Sequence, residues 1–314
     1  MIDSLDSFHT ADSIWAIWGV NSHQDFVDKF MVVGKFHPNV PEEIVNEYKI
    51  VERLLCYSFY SYKLFDEAFS KVTRIFESAV KLRLTQLGIA VKDEYEPLNN
   101  RLKKLENYTS PGLFKEWDKA RKARNIFAHP TGGQQFGIIV HISFLQMVNI
   151  LNTLFLDKEV IDKNEAVLER MKTETKSFNN GLFKLEIDDR AYLVWSIIPY
   201  SCFYDTDKLK SFWVFHPVFT SFPQTTDKLD FILPICLRLK DVSYSEKEII
   251  AINLENNKPI RVRLTDKKEN RDMLATHEEL VDTSDSEVQE IYLNFLDTEL
   301  ANEIVKFLYH ECWN

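Results

Sequence analysis

Along the chain the spacing of apolar and polar positions changes twice. Between residues 12 and 37 the bursts SIWAIWGV and FMVVGKF crowd together Trp, Ile, Val and Phe. Such residues favour strands, and they predict two short strands within 1–40. From 41 the period becomes three to four. PEEIVNEYKIVERLLCYSFYSYKLF and DEAFSKVTRIFESAVKLRLTQLG put Phe65, Ala68, Phe69, Val72, Phe76, Ala79 and Val80 at that spacing, which predicts two helices or one long bent one. Glu42 and Glu43 follow Pro41 as at a helix start, and Gly88 falls where a helix stops. Helices are also expected over 96–107 and 112–128. The stretch 138–156, IIVHISFLQMVNILNTLFL, is apolar on nearly all sides and should be the most buried helix. Connections this short imply antiparallel neighbours, so 41–160 reads as a helical bundle.

Past 165 the period drops towards two. LFKLEI, AYLVWSII, FWVFHPVF, DFILPICLRL, EIIAINL and PIRVRL read as strands, the last two joined by the hairpin turn ENNK. The chain ends in SEVQEIYLNFLDTELANEIVKFLYHECW, an acidic helical segment. The expected class is α+β: N-terminal strands in 1–40, an antiparallel bundle over 41–160, and a β-rich domain over 165–314 that ends in helix. A chain of 314 residues suits two domains.

Composition adds that the chain can bury real cores, with 45% apolar and 27% charged residues. The acidic start MIDSLDSFHTADS is unlike a signal peptide, and no apolar run is read as a membrane span; both point to the cytoplasm and away from a membrane. Cys56, Cys202, Cys236 and Cys312 lie far apart without a CxxC pair, and read as buried thiols rather than zinc ligands or disulfides. His9, His23 and His37 share no face, so no metal site is expected. The net charge of −10 is unevenly spread. Residues 101–150 carry eight basic against three acidic residues, and 269–314 two against twelve.

The basic island contains the stretch RKARNIFAHPT, residues 121–131. An Arg five residues before a His is by itself expected about 0.3 times by chance. A similar spacing, Arg271 to His277, occurs elsewhere with no bundle before it and reads as coincidence. What distinguishes Arg124 and His129 is their place on a bundle helix, Asn125 beside the Arg, and Pro130 directly after the His. Five residues on a regular helix are about 140° apart, so the pair would not share a face. The residue before a proline is pushed out of the α region, which frees His129 to swing back towards Asn125 and Arg124.

Arg124-Asn125-Ile126-Phe127-Ala128-His129 resembles the R-x4-6-H motif of the HEPN superfamily in its form with a polar residue after the Arg. The resemblance covers roughly 60–157. It implies a small antiparallel bundle, a homodimer through that bundle with the active site between subunits, and a metal-independent endoribonuclease of the kind used in bacterial defence or growth control. Catalytic roles would fall to Arg124, Asn125 and His129, with no cofactor. The residue types suit the chemistry. Arg presents a planar cation to two phosphate oxygens, and an imidazole with an ordinary pKa of roughly 6.5 moves protons at neutral pH. Lys119, Arg121 and Lys122 would hold RNA, and the β-rich domain would receive a regulatory protein or ligand.

Plainer readings stand beside these. Arg124 and His129 also fit a helix-end pair, with the His at the negative end of the helix and the Arg bonded to a carboxylate such as Glu77. Lys103, Lys104, Lys119, Arg121 and Lys122 fit a solvated face. Phe114 and Trp117 fit the core rather than a stacking platform for bases. The acidic tail either competes with RNA for the basic island or packs on the β-rich domain through Ile291, Leu293, Phe295, Ile304 and Leu308. A protein that keeps the bundle only as a scaffold for dimerisation or for binding nucleotides or RNA is the alternative to an enzyme.

Overall fold

The computed structural model describes residues 9–90, 96–128, 136–178, 181–205, 208–227 and 229–313. The chain divides into two compact units. The first takes in Met1–Ile161 and Trp313–Asn314, the second Asp162–Cys312. The class is α+β, with helices in both units and one antiparallel sheet.

The first unit is built on α1 (His23–Phe30), α2 (Glu42–Tyr57), α3 (Leu64–Gln86), α4 (Leu98–Lys103), α5 (Pro111–Ala128) and α6 (His141–Leu154). The central helix is α3, in contact with α2, α4, α5 and α6. Its buried face holds Phe65, Ala68, Phe69, Val72, Phe76, Ala79 and Val80, the positions that the helical spacing picks out. Each large apolar side chain hidden in this way contributes about 1.5–3 kcal/mol of transfer free energy. The stop at Gly88 is real, with φ at +67°. In α6 every residue from Met147 to Leu154 is buried, and its polar members are paired. Asn152 donates to the Lys35 carbonyl and accepts the His37 amide, Thr153 accepts the Trp117 indole at 3.1 Å, and Asn149 accepts the Trp313 indole at 2.6 Å. Gly137–Leu154 has the length and hydropathy of a membrane span, which the sequence reading did not register, but 67% of it is buried in this unit.

Residues 9–40 correct the expectation of strands. They hold a 3-10 turn, Ser13–Trp18, and then α1, with no strand among the described residues. The cause is capping. Asp12 accepts the Ile14 amide at 3.1 Å, and Ser22 accepts the Asp25 amide while Asp25 accepts the Asn21 amide, a reciprocal helix start. Gly19 ends the turn at φ +65°. The aromatic residues serve packing instead, since Trp15 is buried and donates its indole N–H to the Ser58 carbonyl at 2.8 Å. A cap satisfies helix-end amides whatever the β-propensity of the residues that follow it.

Helix α7 (Lys158–Phe178) carries the chain into the second unit. There β1 (Leu182–Ile187), β2 (Arg190–Asp205), β3 (Lys208–Pro217), β4 (Ile235–Tyr244), β5 (Glu248–Asn253) and β6 (Pro259–Thr265) pair in chain order, and β1 also pairs with β6. The sheet is thus a closed antiparallel barrel. Alternate residues point inward: Phe183 and Leu185, Trp213 and Phe215, Leu237 and Leu239, Ile249 and Ala251, Ile260 and Val262. Met171, with Val167 and Leu168, brings α7 against this core. The ENNK turn joins β5 to β6 with Asn257 at φ +55°, a conformation that Asn tolerates.

After the barrel come α8 (Lys268–Asp282), α9 (Ser286–Phe307) and a π-helical turn, Leu308–Cys312. The tail is helical and packs within the barrel unit, in part as expected: Ile291, Ile304 and Leu308 are half-buried, but the deepest contacts come from other residues. Val288, Leu296, Leu300 and Phe307 are buried, whereas Leu293 and Phe295 are exposed. Phe307 lies 5.8 Å from Phe212 of β3, and Glu311 pairs with Arg238 of β4 at 3.3 Å. Of the cysteines, Cys202 and Cys312 are buried as read, while Cys56 and Cys236 are only half-buried. Burial pushes the Cys202 thiol up to about 11 and Cys236 to about 12, which leaves them poor nucleophiles.

Candidate functional site

Helix α5 starts on Ser110, whose hydroxyl accepts the Leu113 amide, and on Pro111 at its first position, where a missing N–H costs nothing. Its apolar side turns inward. Trp117 and Ala120 are buried, and Phe127 packs edge-on to Phe69 of α3 at 4.7 Å. Trp117 therefore belongs to the core, and Phe114 is half-buried beside it. With that side fixed, the basic residues of α5 are distributed over its remaining surface.

They do not all reach the same place. Arg121, Arg124 and Asn125 line a cleft of about 390 Å3, whose other walls include Arg101 of α4, Glu77 of α3 and the Glu96–Pro97 corner. The Arg124 guanidinium meets a single oxygen of Glu77, with Nη2 to Oε2 at 2.7 Å and Nε to the same oxygen at 2.9 Å. Both side chains are a little over a quarter exposed, so the pair is within reach of solvent. Asn125 is exposed at the cleft edge.

Lys119 and Lys122 are not part of this cleft. Lys119 pairs with Glu116 at 2.7 Å, and Lys122 pairs with Asp118 at 3.0 Å, each one helical turn away. Arg121 also donates to Asp118 at 2.7 Å. Hydrogen bonds from Arg121 and then Lys122 hold the Asp118 carboxyl below the usual carboxylate range. The three residues predicted to hold RNA are thus each paired to an acid of their own helix, and only Arg121 joins Arg124. Exposed pairs of this kind are worth about 0–1 kcal/mol, so a phosphate can exchange for the carboxylate at small cost. His129 and Pro130 lie outside the described residues.

Arg101 is the cleft residue that the sequence reading passed over. It is 5% exposed and sits in LNNRLKKL, where Leu98, Arg101, Leu102 and Leu105 follow the i, i+3, i+4, i+7 spacing of a buried stripe. An arginine inside such a stripe was the available signal. Three guanidinium groups, two carboxylates and the two amides of Asn99 and Asn125 around one cleft can orient a phosphate between planar cations, with Asn125 placed to position a neighbouring group. Among the described residues no three His, Cys, Asp or Glu side chains come together as metal ligands. No protein-family model matches this chain, and no curated protein matches it.

Proposed function

We propose that the helical unit is a metal-independent endoribonuclease of the HEPN type, acting as a homodimer in the cytoplasm in bacterial defence or growth control. The observation that carries this reading is the convergence of Arg121, Arg124 and Asn125 from α5 with Arg101 on one open cleft. A phosphodiester there meets paired guanidinium groups, which neutralise the charge that grows on its oxygens as the reaction proceeds. The RNA 2′-OH attacks the adjacent phosphorus, giving its proton to one imidazole. The bond from phosphorus to the 5′-oxygen breaks, and a second imidazole protonates the leaving oxygen. One copy supplies one Arg124 and one His129; two copies related by a two-fold axis supply both acid and base, which is the physical reason for a dimer. The products carry a 2′,3′-cyclic phosphate and a 5′-hydroxyl.

The test is incubation of the purified chain with total RNA in excess chelator, followed by analysis of the ends. Cyclic phosphate ends that vanish with His129→Ala support the reading, and intact RNA or 5′-phosphate ends reject it. The Arg124–Glu77 ion pair favours one other reading, in which Arg124 straps α5 to α3 and the bundle is a non-catalytic scaffold for RNA or for a second copy. In that case Arg124→Ala loosens the bundle and leaves RNA uncut by either protein.

A further inference from the structure

The second unit contains a larger cavity, of about 720 Å3, that lies outside the barrel. It is bounded by β2 and β3, the segment after β3, and the two helices α8 and α9. The lumen offers no comparable room. Eight strands leave space for little more than side chains, and this barrel has six, with Trp213, Phe215 and Phe183 among those filling it.

Three properties of the cavity limit what fits it. Its walls are aromatic. Phe219 and Phe222 stack at 5.8 Å, Tyr292 stands edge-on to Phe222 at 5.2 Å, and Trp195 lies 5.3 Å from His216 and 6.0 Å from His277. Trp195 is 42% exposed, a large indole left at the mouth rather than packed away.

Its charge is of one sign. Glu278 and Asp282 of α8 line the cavity, and among the described residues no Lys or Arg does. Both lie towards the C-terminal end of α8, where the helix dipole favours a cation, yet the last turn holds no basic residue. The arrangement weakens the helix end by itself and is relieved by a positive charge from elsewhere.

Its histidines add no positive charge near neutral pH. Burial lowers the pKa of both His216 and His277. The Phe219 amide donates to Nδ1 of His277 at 3.0 Å, which places the hydrogen of the neutral ring on Nε2.

We propose that this cavity is a binding site for a small organic cation, an ammonium group carried on an apolar or aromatic body. The body packs on Phe219 and Phe222. The head takes the faces of Trp195 and Tyr292 together with the field of Glu278 and Asp282, as cations do over aromatic rings. The volume suits a ligand of that size. Phosphates and carboxylates are repelled from the same place, so the site differs in kind from the arginine-lined cleft of the helical unit and stands independently of the nuclease reading.

Calorimetric titration of the full chain tests it with three probes of similar size: benzyltrimethylammonium, neutral N-benzylacetamide and anionic phenylacetate. The cation should bind saturably and about tenfold or more tighter than phenylacetate, with the neutral probe between them. The double substitution Glu278→Gln with Asp282→Asn should weaken the cation about tenfold and leave the melting temperature unchanged or slightly higher. Trp195→Leu should weaken the cation and the neutral probe together. Absence of saturation by the cation up to about 10 mM, equal or tighter binding of phenylacetate, or a cation affinity unmoved by the double substitution overturns the proposal.

Discussion

Arg124 on α5 closes its guanidinium on the Glu77 carboxylate of α3, both Nε and Nη2 falling within 2.9 Å of one oxygen. The pair joins two helices of the bundle at the mouth of the cleft that also holds Arg121 and Asn125. It therefore bears on stability and on function at once, and substitutions on its two sides separate the two.

With both partners partly solvated, the pair contributes about 0–1 kcal/mol. Arg124→Ala is expected to lower the melting temperature by only a few degrees while RNA cleavage falls at least about a hundredfold, a loss of the size seen when one charge-stabilising donor is removed. Glu77→Gln frees the guanidinium and should tighten RNA binding several-fold at low salt, an advantage that fades as salt screens it. Melting curves with gel-based cleavage and binding assays measure both. A large loss of stability with no change towards RNA would make Arg124 a strap and nothing more.

Gly137 precedes α6 at φ +53°, and a Cβ there would stand 2.0 Å from the Tyr62 hydroxyl. That hydroxyl accepts the Ile138 amide at 2.8 Å, while Asp66 accepts the amides of Phe136 and Gly137. Gly137→Ala should cost about 3 kcal/mol from backbone strain and the displaced tyrosine. Urea unfolding followed by helical circular dichroism reads this. Tyr62→Ala loses the Ile138 amide's acceptor and the packing on Trp15, so it costs stability by itself. Combined with Gly137→Ala, the total loss should be less than the sum of the two, because the clash disappears while the strain remains.

The barrel unit should lose stability as the solution is acidified. His216 and His277 have folded pKa values below their ordinary 6.5, burial being the first cause in each. The unfolded chain therefore binds protons first, and the stabilising contribution is complete above pH 6.5 and lost as pH falls from there towards the folded values. His277→Gln keeps an acceptor for the Phe219 amide and should flatten the decline below pH 6.5. A variant as acid-sensitive as the parent would assign the effect to other groups.

Truncation before Ser284 removes α9 and with it Val288, Leu296, Leu300 and Phe307 from the barrel unit. Phe212 loses Phe307 and Arg238 loses Glu311. The shortened protein is expected to expose apolar surface, bind a hydrophobic dye and melt earlier. A tail that instead restrains RNA binding would leave a well-folded truncated protein with tighter RNA affinity at low salt.

Local patterns in the sequence were sufficient wherever the physics is local. The buried face of α3 is legible because residues three and four apart share a helix face, and the six strands because alternate residues share a sheet face. The Arg124–Asn125 pair was legible as adjacent chemistry on one helix. The N-terminal helices were legible too, in Asp12, Ser22 and Asp25, but the β-propensity of the neighbouring aromatics outweighed those caps in the reading. Other features were decided only by contacts between distant segments. Closure of the barrel depends on Phe183 of β1 meeting Leu264 of β6, a pairing that no period within either strand encodes. The face of α9 that is buried, Val288 and Leu296 rather than Leu293 and Phe295, follows from which surface it packs on. Arg101 joins Arg124 only because α4 and α5 both pack on α3, and the aromatic cavity exists only where β2, β3, α8 and α9 converge. Periodicity states which side of an element is apolar; what covers that side is set by the packing of the other elements.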